Sequence, residues 1–211
     1  MKQTKSHNMK NFSQNNEQVA ILEYFKDFKG TFLSIGENDG ETLSNVRALA
    51  LEGWRGVMVE PAPVAFMKLK RLYPHTKKKF YLYNCAIGLH DKMEILHDSG
   101  CLLQMGDTSL VSTLVEAETD RFKKVLDYHP VKVQAYRWKT FFNRLTLKKF
   151  DMISLDAEGM DVEILGQMDI TGIKLIVVEW NGHEDRKAVF DEKMKGFKII
   201  YTSGENLIYA I

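Results

Sequence analysis

The chain has little of what several protein classes require. Two cysteines, Cys85 and Cys101, are all that 211 residues contain, and they lack the spacing of metal ligands. A disulfide framework is excluded, and both thiols are expected as core filler in a reducing, cytoplasmic setting. Charge of one sign is also missing. Twenty-nine lysines and arginines offset 28 acids for a formal net charge of +1, so no global field draws the chain to nucleic acid or to an anionic membrane. Met1 to Gln18 is polar, without the apolar core of a secretory leader, and no apolar run is long enough to span a bilayer. There is no internal repeat.

What remains is an ordinary globular composition, 45% hydrophobic and 27% charged, at a length suited to one α/β domain. Residues 1–16 offer almost nothing to bury and read as a flexible tail, leaving 17–211 as a single domain. From Glu17 to Phe28, Val19, Ile21, Leu22, Phe25 and Phe28 recur at helical spacing, with Asn15 and Asn16 as caps. That helix is expected to pack on the domain.

Strand and helix signals then alternate. Strands are predicted at Thr31–Ile35, Gly56–Glu60, Phe80–Ile87, Phe150–Asp156 and Lys174–Glu179. Helices are predicted at Glu41–Glu52, with Leu43, Val46, Leu49 and Ala50 on one face, at Pro63–Tyr73 and at Asp161–Met168. Alternation of this kind implies a mostly parallel sheet flanked by helices. Phe197–Thr202 and Leu207–Ile211, joined by Ser203-Gly204-Glu205-Asn206, read as a hairpin. A parallel sheet finished by an antiparallel pair is unlike the usual dinucleotide dehydrogenase and suits the seven-stranded methyltransferase architecture. Gly88 to Trp138 is less regular, with a strand-like Val131–Tyr136, and is expected to carry substrate contacts or to be a surface elaboration.

The sharpest local signal is Ser34-Ile35-Gly36-Glu37-Asn38-Asp39-Gly40, where the first strand gives way to the first helix. Backbone N–H groups can meet a ligand there, and Gly36 and Gly40 permit a tight turn. Asn38 tolerates left-handed geometry. Glu60 ends the second strand, where an acid can accept both ribose hydroxyls of an adenosine, or instead cap the helix announced by Pro61 and Pro63. Asp156-Ala157-Glu158-Gly159 ends the fourth strand, and Glu179-Trp180-Asn181 ends the fifth, with His183 just after. Ligands bind beyond the carboxyl ends of strands in open α/β sheets, so these carboxylates face the expected crevice. Asp161, Glu163 and Asp185 are assigned to helix capping.

In order along residues 30–200, these features resemble the FkbM-family methyltransferases: the Ile-Gly-Glu-Asn-Asp-Gly turn, Val59-Glu60-Pro61, Ala86-Ile87-Gly88, Ser109-Leu110, Asp156-Ala157-Glu158-Gly159 with Glu163-Ile164-Leu165, and Val178-Glu179. The resemblance implies a Rossmann-like class I methyltransferase fold and S-adenosylmethionine as methyl donor. It implies O-methylation of a hydroxyl on a sugar, lipid or polyketide-like small molecule or glycan, with no nucleic-acid partner. By the same resemblance Gly36, Glu37, Asn38 and Gly40 would line the methionine and ribose side. Glu60 and Pro61 would hold the ribose, and Asn84, Cys85 and Ala86 would border the adenine. Asp156 and Glu158 would lie at the methyl-transfer centre, with Glu179 and His183 as further candidate catalytic groups.

The chain departs from the family at Ser34, usually Asp, at Ser154, usually Lys, and at Tyr136-Arg137-Trp138, usually Thr-Leu-Asp. The first change would weaken cofactor binding, and the last points to a different acceptor. No metal is expected, although Asp156, Glu179 and Asn181 offer oxygen ligands for a divalent cation at adjacent strand ends. The Asp/Asn-Pro-Pro-aromatic block of nucleic-acid amino-methyltransferases is missing. The basic group Lys68, Lys70, Arg71, His75, Lys77, Lys78 and Lys79 reads as a solvated face. The alternatives are a non-catalytic module that binds S-adenosylmethionine or a nucleotide sugar, and an NAD-dependent oxidoreductase.

Overall fold

The computed structural model describes residues 10–74, 79–100 and 109–211. Cys101, the stretch 102–108, His75, Lys77, Lys78 and residues 1–9 of the expected tail lie outside them.

Seven strands form one sheet: β1 (Thr31–Ile35), β2 (Arg55–Val59), β3 (Phe80–Tyr83), β7 (Met152–Leu155), β8 (Leu175–Glu179), β9 (Lys198–Thr202) and β10 (Asn206–Ala210). Their spatial order is β3-β2-β1-β7-β8-β10-β9. The five from β3 to β8 run parallel, and β10 enters antiparallel between β8 and β9, closing the predicted hairpin. The central strands are apolar on both faces, as a sheet covered on both sides requires. Leu33, Val57, Ile153, Ile176 and Leu207 project into one core with α4 (Trp138–Arg144), α5 (Asp161–Gln167) and α6 (Glu184–Lys193). Phe32, Met58, Met152, Val177 and Ile208 project into the other with α1 (Glu17–Phe25), α2 (Arg47–Leu51) and α3 (Pro63–Leu72). Among the described residues no helix is long and apolar enough to cross a membrane.

Three expectations are corrected. The helix expected over Glu41–Glu52 begins only at Arg47, because side chains upstream capture the backbone donors. Asp39 Oδ1 accepts the N–H groups of Glu41 and Thr42 (2.9 and 2.7 Å), and Ser44 Oγ accepts that of Arg47 (3.0 Å). Leu43, expected on the buried face, is exposed in left-handed backbone. The single strand expected over Phe80–Ile87 is two. Asn84 turns the chain by donating to the carbonyls of Glu60 and Pro61 (2.8 and 3.0 Å). β4 (Ala86–Gly88) then leaves for a second sheet, β4-β6-β5, with β5 (Lys92–Asp98) and β6 (His129–Arg137). The irregular middle of the sequence therefore builds a small sheet of its own.

The third correction concerns the tail. Residues 10–16 are packed: Phe12 and Ser13 are buried, and the Phe12 N–H donates to Gln18 Oε1 at 2.9 Å. Asn16 stands before α1 in left-handed backbone with no side-chain cap bond, so it does not cap as expected. α1 packs on the domain through Ile21 and Phe25, the latter edge-on to Trp54 with ring centroids 4.7 Å apart. Its first residue, Glu17, is fully buried. Glu17 Oε1 accepts from Asn206 Nδ2 (3.0 Å) and Ser203 Oγ (3.2 Å), and Oε2 accepts from the Asn15 N–H (2.7 Å). This one carboxylate ties the N-terminal segment to the C-terminal hairpin. Glu17→Ala leaves buried donors unmatched and is expected to cost about 2–3 kcal/mol, lowering Tm by about 4–12 °C. A loss under about 0.5 kcal/mol in a thermal melt would show the junction to be incidental.

Candidate active site

A cavity of about 580 Å³ opens beyond the C-terminal ends of β1, β2, β7 and β8. Its floor is the turn after β1. Gly36 has φ 77° and Asn38 φ 52°, so the chain doubles back at once. The N–H groups of Gly36 and Glu37 both reach the Val59 carbonyl (2.9 and 3.1 Å). A Cβ on Gly36 would overlap the Asp156 carbonyl oxygen, so the glycine permits close approach of two strand ends. Gly40 serves packing instead: a Cβ there would meet the Leu69 and Tyr73 side chains, and Gly40 does not line the cavity.

Glu60 is buried in the wall. Its Oε2 accepts the Asn38 N–H (2.8 Å) and its Oε1 the Ala62 N–H (2.7 Å), so it braces the turn and the start of α3 at once. Burial pushes its carboxyl up to about 8, against the pull of those two N–H groups. Each oxygen keeps a second lone pair for a ligand hydroxyl. Glu37 points inward as well. Its carboxylate is held by Ser34 Oγ (2.5 Å) and Ser44 Oγ (2.6 Å), and burial raises it to about 7. The carboxylate missing at residue 34 is thus supplied next to Ser34 by Glu37. Ser154 accepts from Asn45 Nδ2 at 3.3 Å, leaving the buried Asn45 Oδ1 without a donor.

Opposite the turn, Asp156, Glu158 and Glu179 bring carboxylate oxygens within 4.8 Å of one another. They arrive on two backbone segments: Asp156 and Glu158 on the turn that follows β7, Glu158 in left-handed backbone (φ 44°), and Glu179 at the end of β8. All three are raised above the ordinary carboxylate range, first by desolvation and, for Asp156 and Glu158, next by the Glu179 charge. Arg121, on the 3-10 turn Glu116–Arg121, reaches Glu158 at 3.4 Å and Glu118 at 3.3 Å. Arg186 closes the network on Glu118 at 2.5 Å.

Of the residues expected at the site, Gly36, Glu37, Asn38, Glu60, Pro61, Cys85, Ala86, Asp156, Glu158, Glu179, Asn181 and His183 line this cavity. Asn84 does not; it is exposed and holds the neighbouring turn. His183 stands exposed at the mouth. Cys85 is a buried, free thiol pushed up to about 12 by desolvation, inert as a nucleophile. Asp161 takes the Ala157 N–H (3.0 Å) and is raised to about 8 by burial, serving the turn outside the cavity. Asn45, Arg121 and Phe122 also line it, and no motif marked them. Ser109 and Leu110 do too, and only their place in the family pattern marked them.

A seven-stranded, mostly parallel sheet ending in an antiparallel hairpin, with its cavity beyond the parallel strands' carboxyl ends, is the Rossmann-like class I methyltransferase architecture. The model of the methyltransferase FkbM domain matches residues 34–199, and the chain belongs to that family. Among solved structures it is similar to methyltransferase FkbM from Methylobacillus flagellatus KT, at TM-score 0.51 and 10% identity, covering 95% of this chain and 56% of that one. Monomeric WbdD is similar at TM-score 0.50 and 8% identity, covering 93% and 41%. The Thermus thermophilus 16S rRNA N2 G1207 methyltransferase, solved with AdoMet and guanosine, has TM-score 0.48 and 12% identity, covering 97% and 44%. At these identities the likeness is one of fold. Among curated proteins none matches the sequence.

The buried carboxyls set a pH dependence. Glu37 and Glu60 keep a proton in the folded state up to about 7 and about 8, whereas unfolded they release it near 4.5. The folded state binds more protons across that window, so stability is fullest below about 4.5 and falls as pH rises towards 8. Melts of the ligand-free protein from about pH 5 to about pH 9 should show a falling Tm, less steep in Glu60→Gln. A Tm that rises over this range, or a slope unchanged in the variant, would contradict the assignment.

Proposed function

We propose that the chain transfers a methyl group from S-adenosylmethionine to a hydroxyl of an uncharged small molecule or glycan, of the sugar, lipid or polyketide-like kind. The observation that carries this reading is the acidic lining of the cavity, whose carboxyls a bound cation would hold in their charged form. Glu37, Glu60, Asp156, Glu158, Glu179 and Glu205 line it, and among the described lining residues Arg121 is the one lysine or arginine. Such a wall favours a cationic donor and disfavours the phosphates of a nucleic acid. The lining fits the cofactor: Asn45 Oδ1 is a buried acceptor without a donor, and an ammonium supplies donors. The cavity volume lies within the range of ligand sites.

When bound, S-adenosylmethionine supplies a methyl carbon whose bond to sulfur breaks with its electron pair left on sulfur. Glu60 receives the ribose hydroxyls on its spare lone pairs. Gly36 to Asn38 border the methionine portion, and Pro61, Cys85 and Ala86 the adenosine. Asp156 or Glu158 orients the acceptor hydroxyl and takes its proton as the oxygen gains the methyl group. A carboxylate raised towards neutrality by burial is matched to that task. Leu110, Val111, Leu114 and Phe122 line the cavity and keep water from the acceptor. A cytoplasmic setting belongs to the same proposal and rests on the sparse cysteine content.

S-Adenosylhomocysteine at one hundred times its Kd should raise Tm by about 5–11 °C, and Glu60→Ala should abolish the shift. Asp156→Asn and Glu158→Gln should keep cofactor binding and lower turnover of a hydroxyl acceptor by about 10²–10⁴. Near-normal turnover would remove both carboxylates from the chemistry. Cofactor binding with no turnover of any acceptor would favour a non-catalytic module, and methylation of RNA alone would overturn the acceptor class.

A further inference from the structure

The carboxylate cluster opposite the Gly36 turn is incompletely paired. Asp156 and Glu158, on the turn after β7, and Glu179, at the end of β8, converge until their oxygens lie within 4.8 Å of one another. Glu179 is only 6% exposed, lines the cavity, and its Oε2 is buried with no hydrogen-bond donor. Asp156 Oδ1 is in the same condition. The cationic group nearest the cluster, Arg121, meets Glu158 at 3.4 Å and divides its attention with Glu118. Two buried carboxylate oxygens without hydrogen-bond partners, on residues clustered with a third carboxylate, call for a positive centre among them.

We infer that Asp156, Glu158 and Glu179 together bind one divalent cation. The set is all oxygen, which selects a hard ion such as Mg²⁺, Mn²⁺ or Ca²⁺ over zinc or copper. Metal–oxygen distances of about 2.0–2.6 Å place ligand oxygens about 3–5 Å apart around such an ion, and the oxygens here lie within 4.8 Å of one another. The ligand set differs from the Asp156, Glu179 and Asn181 trio suggested by the sequence. Glu158, carried inward by its left-handed backbone, takes the third place. Ligand positions left open on the cavity side are available to water or to the acceptor hydroxyl, whose acidity the ion would raise. That role, though not the binding itself, rests on the methyltransferase reading.

The test is Mn²⁺ binding to the chelator-stripped full chain, followed by electron paramagnetic resonance and calorimetry, with an S-adenosylhomocysteine melt on the same samples. The wild type should bind one Mn²⁺ saturably, and Mg²⁺ or Ca²⁺ should displace it. Asp156→Asn and Glu179→Gln should each weaken Mn²⁺ by more than the roughly 10–100-fold that an outer-shell change costs. Glu179→Gln leaves the Gly36 turn intact and should retain the S-adenosylhomocysteine shift, which shows that it is folded. No saturable Mn²⁺ site, or an affinity equal in wild type and both variants, would overturn the inference. Carboxylate-dependent Mn²⁺ binding without any S-adenosylhomocysteine shift would support the ion site while removing the methyltransferase reading.

Discussion

The close approach of Gly36 to the Asp156 carbonyl sets the geometry on which the site depends. β1 and β7 run side by side, and Asp156 N–H donates to the Ile35 carbonyl at 3.0 Å, so the two strand ends leave no space for a side chain between them. With Gly36 fixed, the next two N–H groups fall where β2 ends. Glu37 N–H goes to Val59, and Asn38 N–H goes to Glu60. One turn therefore locks three strand ends, and it places Glu37, Glu60 and Asp156 around a common space. The two cores on either side of the sheet hold the strands at the spacing this contact needs.

Electrostatics follows from that convergence. Carboxylates gathered at buried strand ends repel one another and lose water, and each is raised above its ordinary range. The protein tolerates this only in part through its own donors. Serines hold Glu37, backbone N–H groups hold Glu60, and Arg121 serves Glu158, while Asp156 and Glu179 keep unmatched oxygens. The remaining deficit is a demand for positive charge inside the cavity. The proposed cationic cofactor and the inferred divalent ion would both meet it.

Much of this was legible in the sequence because the responsible signals are local. Continuous apolar runs such as Gly56–Val59 and Leu175–Val178 can only be strands covered on both faces, and the terminal hairpin followed from its turn residues. The acids were found by their positions at strand ends. What failed to show was the work of polar side chains. Helix α2 starts late because Asp39 and Ser44 capture backbone donors, which periodicity does not register. β3 and β4 separate because Asn84 bonds carbonyls 23 and 24 residues away. Phe12 and Ser13 looked unburiable, yet Gln18 bonds both, accepting the Phe12 N–H and donating its own N–H to Ser13 Oγ. Arg121 carried no signal, since its charge has meaning only beside Glu158.

The most direct test of the account is a crystal structure of the chain grown with S-adenosylhomocysteine. The ribose hydroxyls are expected on Glu60, the adenine beside Cys85 and Ala86, and the sulfur on the side of Asp156. Ligand density elsewhere on the protein, or a cavity without it under saturating ligand, would contradict the claim that these strand ends form a methyl-transfer site.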